Sequence, residues 1–272
     1  MSAAKVSDLY RTAFVTGASS GLGAAFVEML LADGVRVWGT ARDPDRLAAR
    51  ENFYPVALDL ADPATAGKNF LHAADAAGGA FDLVINNAGY GVFGPFAATD
   101  FAVWQAQLDA MMPATLRLAH AALRPMLTRR RGCLVNVSSL AAEFPLPFMS
   151  GYNAAKAGLS AFSESLAFET RGTGVNVIDF RPGDYRTPFN QAMQRPPAEL
   201  SAIEARAWRR LEANLLAAPL PTRAAADLRG ALLRGRSGTV RSGSFFQARL
   251  APLFARVAPP ALLRAVLRIY YG

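Results

Sequence analysis

Short apolar runs alternate with helix-length segments along most of the chain. Runs of this kind are typical of strands buried on both faces, and intervening helices connect such strands in parallel. The pattern therefore predicts an α/β fold, a doubly wound, Rossmann-like parallel sheet, in a single domain of residues 1–272. The predicted strands are Ala13–Thr16, Val35–Thr40, Tyr54–Leu58, Leu83–Asn86, Leu134–Val137 and Val175–Phe180.

Two later segments extend this pattern. Residues from about 190 to 216 are helix-prone and contain Met193, Trp208 and Leu215. From about 240 to 272 arginines stand among apolar residues, which predicts an extension of amphipathic helices between Phe245 and Tyr271. This extension either packs against the protein's own body or a partner subunit, or rests on an anionic membrane surface. No apolar run approaches the ~20 residues of a transmembrane helix.

A glycine-rich turn, Thr16-Gly-Ala-Ser-Ser-Gly-Leu-Gly23, follows the first predicted strand. Gly17, Gly21 and Gly23 allow the chain to turn tightly into a helix. The amides at the N-terminus of such a helix can bind a pyrophosphate. The turn therefore predicts a dinucleotide site.

A tyrosine and a lysine four residues apart, Tyr152 and Lys156, follow Ser139 by thirteen and seventeen residues. Residues at this spacing share one helix face, with Cβ atoms about 5 to 6 Å apart. We expect the ammonium to lower the pKa of the phenol, because a nearby cation favours the phenolate. A phenol of this kind suits proton transfer near neutral pH.

In combination, these motifs resemble the short-chain dehydrogenase/reductase family. Besides the glycine turn, the chain has Asn-Asn-Ala-Gly at 86–89, Ser139, Tyr-x-x-x-Lys at 152–156 and Pro-Gly-x-x-x-Thr at 182–187, in the family's order. The resemblance implies an enzyme that transfers hydride between a nicotinamide and a carbonyl or alcohol, with residues 190–216 as a substrate lid. A sugar-nucleotide epimerase or dehydratase of the longer branch is disfavoured by the glycine spacing.

The same resemblance implies roles for individual residues. Ser139 holds the substrate oxygen, Tyr152 exchanges its proton, and Lys156 binds the nicotinamide ribose. The cofactor contacts it implies are Gly17, Ser19, Ser20, Gly21, Leu22 and Gly23 around the phosphates, Asp59 and Leu60 at the adenine, Asn87, Ala88 and Gly89 at the adenosine ribose, and Tyr185 and Thr187 at the nicotinamide amide.

Cofactor choice is predicted from the end of the second strand. NAD-preferring relatives have an acid there, which binds both ribose hydroxyls. This chain has Ala41, followed by Arg42, whose planar guanidinium can pair with a 2′-phosphate. Asp43 offers Arg42 a competing surface ion pair, worth only ~0 to 1 kcal/mol. The expected cofactor is NADP(H).

The substrate site is predicted to be apolar. Phe144, Leu146, Phe148 and Met149 lie between Ser139 and Tyr152, and Tyr90, Phe93, Phe189 and Met193 add further apolar wall. Bulky lipophilic carbonyls or alcohols, such as steroid-like, long-acyl or aryl compounds, fit such residues better than sugars. The alternative is that these side chains only pack against the lid or a neighbouring subunit.

One position departs from the family pattern. Met111 stands where relatives commonly have an Asn that helps hold a water connecting the lysine to solvent. The departure supports an alternative function, a nucleotide-binding regulatory or scaffold protein with impaired turnover. Pro113 lacks an amide hydrogen and is predicted to kink the helix, which frees the carbonyl of Asp109 to hold that water instead.

Composition and charge argue against several other kinds of partner and site. The net charge is +8, but the arginine clusters lack the aromatic interleaving of a nucleic-acid binder, so none is expected as a partner. Cys133 is the single cysteine, and His72 and His120 are isolated, so we expect neither a disulfide nor a metal. The expectation is a cytoplasmic homo-oligomer, with peripheral membrane contact as the alternative described for its extension.

Overall fold

The computed structural model describes residues 4–189, 191–195, 199–259 and 261–262. Its centre is one parallel sheet of seven strands in the order β3-β2-β1-β4-β5-β6-β7. The strands are β1 Thr12–Val15, β2 Arg36–Ala41, β3 Phe53–Ala57, β4 Leu83–Asn86, β5 Gly132–Val137, β6 Val175–Pro182 and β7 Gly238–Ser242. The chain builds outward from β1 to β3 and then continues on the other side of β1 with β4, so the carboxyl ends of β1 and β4 open a crevice.

Eight α-helices are described around this sheet. They are α1 Gly21–Ala32, α2 Pro63–Ala76, α3 Phe101–Met111, α4 Pro113–Arg129, α5 Ser150–Glu169, α6 Ala202–Ala217, α7 Pro221–Arg234 and α8 Ala251–Val257. α1 and α7 cover one face of the sheet, while α2, α4 and α5 cover the other. This confirms the predicted doubly wound α/β fold.

Burial on both faces explains why the strands are continuously apolar. Within β1, Ala13 and Val15 pack on the α1 and α7 side, and Phe14 packs on the other side against Phe70 of α2. Full burial of a large apolar side chain contributes about 1.5 to 3 kcal/mol to folding. All six predicted strands are present within one or two residues of the predicted bounds.

The seventh strand, β7, was not predicted. It pairs only with β6 at the edge of the sheet, and Val240 is its only large apolar residue. An edge strand with one exposed face needs no apolar run, so the sequence carries little signal for it.

The predicted lid and extension are helical in part. In the lid, α6 begins only at Ala202, and in the extension the first residues still belong to β7. α6 begins with a capping box, in which Ser201 and Glu204 bond each other's backbone amides. A π-helical turn, Phe246–Leu250, leads directly into α8. Position 190, residues 196–198, and the part of the predicted extension beyond Leu262 lie outside the described residues. Among the helices described, none is long and apolar enough to cross a membrane.

Candidate active site

The glycine-rich turn and the Asn86–Gly89 turn are joined by Thr16. Its Oγ1 accepts from the amides of Asn87 and Ala88 at 2.8 and 3.0 Å, and the side-chain amide of Asn87 donates to the Thr16 carbonyl at 2.9 Å. Gly23 packs so closely that an added Cβ would lie 2.1 Å from the Gly17 carbonyl oxygen. The bare backbone therefore forms a narrow cradle at the carboxyl ends of β1 and β4, as a pyrophosphate site requires.

The N-terminus of α1 is open to an anion. Ser20 occupies the N-cap position without a side-chain cap bond, and the first turn contains no acid. The exposed amides therefore favour negative charge. Thr187 lies on the opposite side, 3.4 Å from the point a Cβ on Gly21 would occupy. Ser19 is half-buried in the turn, whereas Leu22 packs against the core.

The adenosine side of the crevice carries one exposed cation, Arg42. Asp43 does not bind it, since its carboxylate accepts from the amide of Asp45 at 3.1 Å. Within the described chain, no carboxylate lies at ion-pair distance from Arg42. Asp59 caps its own turn by accepting from the amide of Ala61, and Leu60 packs against the core under α2 and α4. These residues fit a dinucleotide with a 2′-phosphate.

Ser139, Tyr152 and Lys156 come together as the sequence predicted. Tyr152 lies in the first turn of α5, where the helix dipole favours a developing phenolate. The hydroxyl of Ser139 lies near enough to that of Tyr152 to lower the pKa of the phenol. Lys156 Nζ lies 5.7 Å from the centre of the Tyr152 ring and donates to the Val137 carbonyl at 2.7 Å.

The pKa of Tyr152 differs from the expectation. Burial raises this pKa to about 12, the hydrogen bond from Ser139 lowers it, and the charge of Asp184 raises it. Burial likewise lowers the pKa of Lys156 to about 8, against the opposing charge of Asp179. The lowering expected from Lys156 is not found, and the pKa is raised because desolvation penalises the phenolate. The phenol therefore keeps its proton at neutral pH.

A buried ionic network behind the site was missed by the sequence reasoning. Asp179 accepts from the hydroxyls of Ser138 and Ser160 and from Arg181 Nε, and Arg181 also pairs with Glu143. Ser138 thus faces this network, while Ser139 faces Tyr152. The signal was available, because charged residues at 179 and 181 stand in a strand that is mostly apolar.

Most of the predicted substrate residues form one apolar cluster beside Tyr152. Its buried members are Phe93, Met149, Met193, Ala207, Trp208 and Leu211, with half-buried Leu146, Phe148, Tyr152, Phe189, Leu200 and Leu215 around them. Phe189 meets the Tyr152 ring edge to face at 5.8 Å between ring centres. The lid helix α6 closes the cluster through Trp208, which contacts Phe93.

Two predicted substrate residues are not in this cluster. Tyr90 lies towards the cofactor crevice: burial raises its pKa, and the nearby charge of Arg42 lowers it. Phe144 is half-buried next to Glu143, away from the cluster. Phe144, Leu146 and Met149 all lie between Ser139 and Tyr152 in the sequence. Their sequence positions therefore did not show that Phe144 lies outside the cluster.

The side chain of Tyr185 points away from the crevice. It is buried in the core, and its hydroxyl bonds Ser242, which donates to Asp227 at 2.7 Å. A contact between Tyr185 and the nicotinamide amide is therefore restricted to the backbone. The motif alone does not predict this direction.

Met111 lies beside Lys156. Its Cε and Lys156 Nζ are 3.4 and 3.8 Å from the point a Cβ on Gly89 would occupy. The predicted kink is confirmed: α3 ends at Met111, and α4 begins at Pro113. Within the described residues, no group of histidine, cysteine or acidic side chains is placed to hold a metal.

A family model described as short chain dehydrogenase matches residues 11–198. A short chain dehydrogenase of Pseudocercospora fijiensis is 30% identical over 83% of this chain and 78% of its own length. A crystal structure of a short-chain dehydrogenase from Streptomyces avermitilis superposes with a TM-score of 0.79 at 28% identity, covering 98% of this chain and 99% of that one. One from Burkholderia cenocepacia in complex with NADP has a TM-score of 0.69 at 25% identity, covering 94% and 100%.

Proposed function

Because the chain belongs to the short-chain dehydrogenase family, whose members oxidise alcohols or reduce carbonyls, we propose that it is an NADP(H)-dependent oxidoreductase of bulky apolar carbonyls or alcohols. The observation that carries this proposal is the position of Tyr152, which packs against the apolar cluster with Lys156 Nζ 5.7 Å from its ring. Steroid-like, long-acyl and aryl compounds are the proposed substrates.

Each catalytic side chain has a defined task. Ser139 orients the substrate oxygen by a hydrogen bond, and Tyr152 donates the proton to that oxygen in reduction or removes it in oxidation. Lys156 holds the nicotinamide ribose and compensates negative charge on Tyr152. NADPH, when bound, supplies the hydride. The raised pKa of Tyr152 supports proton donation, because the phenol is protonated at neutral pH.

The preference for NADP(H) is proposed from Arg42. Similar structures hold either cofactor, NADP in the Burkholderia cenocepacia protein and NAD in one from Burkholderia phymatum. The local residues therefore decide. Ala41 contributes no charge against a 2′-phosphate, and Arg42 is free of carboxylate partners in the described chain. A guanidinium binds phosphate through charge-assisted, bidentate hydrogen bonds.

The direct test is NADPH oxidation against a panel of lipophilic ketones, with sugars as the contrast. Tyr152→Phe is expected to lower kcat by about 10²- to 10⁴-fold, because it removes only the transferable proton. NADPH binding should persist. Tyr54→Phe is the matched control, since Tyr54 is exposed on β3 and stacks on Trp38. Substantial activity in Tyr152→Phe would refute the catalytic assignment.

The alternative of a regulatory or scaffold protein gains no support from the family match or the relatives described above. Wild-type NADPH binding without turnover on any ketone of the panel would favour it.

Peripheral contact with an anionic membrane is proposed from charge and exposure together. All 21 acids precede residue 228, whereas eight of the 29 basic residues follow it, so the net charge of +8 belongs to the last 45 residues. In the described part of the extension, the exposed apolar side chains are Phe245, Phe246, Leu250, Leu253, Phe254 and Leu262. Such a surface suits anionic lipid.

We also propose that the protein forms a homo-oligomer in the cytoplasm. Exposed Phe101 and Phe168 offer apolar contacts for a second copy in a homo-oligomer. A cytoplasmic location is proposed from the single cysteine, Cys133, which is buried and free.

A further inference from the structure

Gln247, in the C-terminal π-helical turn, reaches back to the loop that follows β6. Its Oε1 accepts from the amide of Asp184 at 3.2 Å, and its Nε2 donates to Asp184 Oδ2 at 2.6 Å. One side-chain amide therefore bonds both the backbone and the carboxylate of the same residue. Such a two-point contact fixes the position of the loop and the direction of the carboxylate.

The Gln247 amide occupies a slot formed by two glycines. An added Cβ on Gly183 would lie 2.7 Å from Gln247 Oε1, and one on Gly243 would lie 3.3 Å from the same atom. Gly243 also has a φ of 155°, which side-chain-bearing residues rarely adopt. The backbone on both sides is thus shaped around this side chain.

The loop held by Gln247 is continuous with the catalytic residues. Ser139 Oγ lies 3.4 Å from the carbonyl of Pro182, directly before the Gly183–Asp184 pair. At its other end the loop carries Thr187, which faces Gly21 across the cofactor crevice. A displacement of Asp184 therefore reaches both the substrate side and the nicotinamide side.

We propose that Gln247 is a positioning residue of the active site, which holds the Asp184 carboxylate and fixes the loop from Gly183 to Thr187. The C-terminal extension is thereby a working part of the catalytic centre. This inference rests on the proposed function, because the process it controls is proton exchange by Tyr152.

The charges around Tyr152 give the proposal a pH signature. Asp184 raises the pKa of Tyr152, Lys156 lies 5.7 Å from its ring, and Asp179 acts on Lys156 from behind. Burial raises the pKa of Asp184, and its hydrogen bond from Gln247 lowers it. Removing the charge of Asp184 should shift the apparent pKa of alcohol oxidation downward, because the Tyr152 phenolate then forms more easily.

The test compares Gln247→Glu, the double variant that combines Gln247→Glu with Asp184→Asn, and Gln105→Glu. Gln247→Glu opposes two carboxylates, so kcat should fall roughly tenfold or more at neutral pH and recover at acidic pH, where one carboxyl takes a proton and donates. In the double variant the amide introduced by Asp184→Asn can donate to the carboxylate introduced by Gln247→Glu. Most of the lost kcat should therefore return.

Gln105 is the matched control, since its side chain donates to Asp109 at 2.8 Å on the exposed surface of α3. Gln105→Glu should leave kcat and its pH profile unchanged. Hydrogen exchange of the amides from Gly183 to Thr187 is the readout without turnover: it should accelerate in Gln247→Glu and return to the wild-type rate in the double variant.

The outcomes separate the two proposals. An inactive wild type contradicts the proposed function, yet the exchange pattern still tests the Gln247 contact. An active wild type with an unchanged kcat profile in Gln247→Glu, or a double variant no better than the single one, overturns the positioning role.

Discussion

At the residue scale, the proposed preference for NADP(H) depends on one side chain. Arg42 is exposed at the end of β2, next to a buried Ala41, and its neighbour Asp43 is occupied in capping the following turn. Because the Asp43 carboxylate is held by the backbone of that turn, we expect a phosphate to bind this guanidinium without competition from Asp43. Nothing in the described chain neutralises Arg42 by an ion pair.

Arg42→Ala is expected to weaken NADPH binding by about tenfold or more while leaving NADH binding nearly unchanged, because a hydrogen bond to a charged group contributes roughly 1.5 to 3 kcal/mol. Fluorescence titration with both cofactors measures the effect. Arg46→Ala, an exposed arginine in the same turn, is the control. Equal affinity for the two cofactors in the wild type would contradict the NADP(H) assignment.

The proximity of the predicted catalytic residues was predictable, but the directions of their pKa shifts were not. The spacing of Ser139, Tyr152 and Lys156 is a property of the sequence, and the structure brings these residues together. Desolvation depends on what covers Tyr152, and that cover comes from the distant Phe189 and the lid cluster. The contact between Asp184 and Gln247 could not be predicted either, because the two residues are 63 apart in sequence.

At the element scale, the break between α3 and α4 is expected to affect proton transfer at the site. Pro113 begins α4 and has no amide to donate to the carbonyl of Asp109. The position of the break was predictable because proline acts on its own backbone. The lid helix α6 was predictable in the same local way, whereas edge strand β7 depends on a neighbour, β6, for its existence.

We expect Pro113→Ala to lower kcat, because an alanine amide can bond the Asp109 carbonyl and remove the acceptor proposed to hold a relay water near Lys156. The expected loss is about tenfold, less than the full effect of a general acid. Steady-state kinetics across pH provide the measurement. Pro125→Ala, inside α4, is the matched control and should keep wild-type kcat.

A Pro113→Ala enzyme with wild-type kcat at every pH would contradict this role of the break. Met111→Asn tests whether the enzyme needs the Asn that relatives commonly have at this position. If the backbone carbonyl supplies the polar site, restoring the family's Asn should change kcat little.

At the whole-molecule scale, the net positive charge is confined to one end of the chain. The first 227 residues carry 21 acids and 21 bases, while the last 45 residues carry the entire net charge of +8. Exposed Phe246 and Leu253 lie within this basic region, and Gln247 connects the same region to the active site. Lipid binding and catalysis would therefore meet in one segment, as a lipophilic substrate held in a membrane requires.

The protein is expected to sediment with vesicles containing anionic phospholipid and not with neutral phosphatidylcholine vesicles. Each arginine near an anionic surface contributes about 1 kcal/mol, and added salt screens this attraction. Binding should therefore fall steeply as salt is raised. Phe246→Ser should weaken it further by removing buried apolar area, whereas Phe168→Ser, on the exposed surface of α5, should have no effect. Equal binding to neutral vesicles, or equal losses in the two phenylalanine variants, would show that the extension does not face a membrane and would favour packing against a partner subunit.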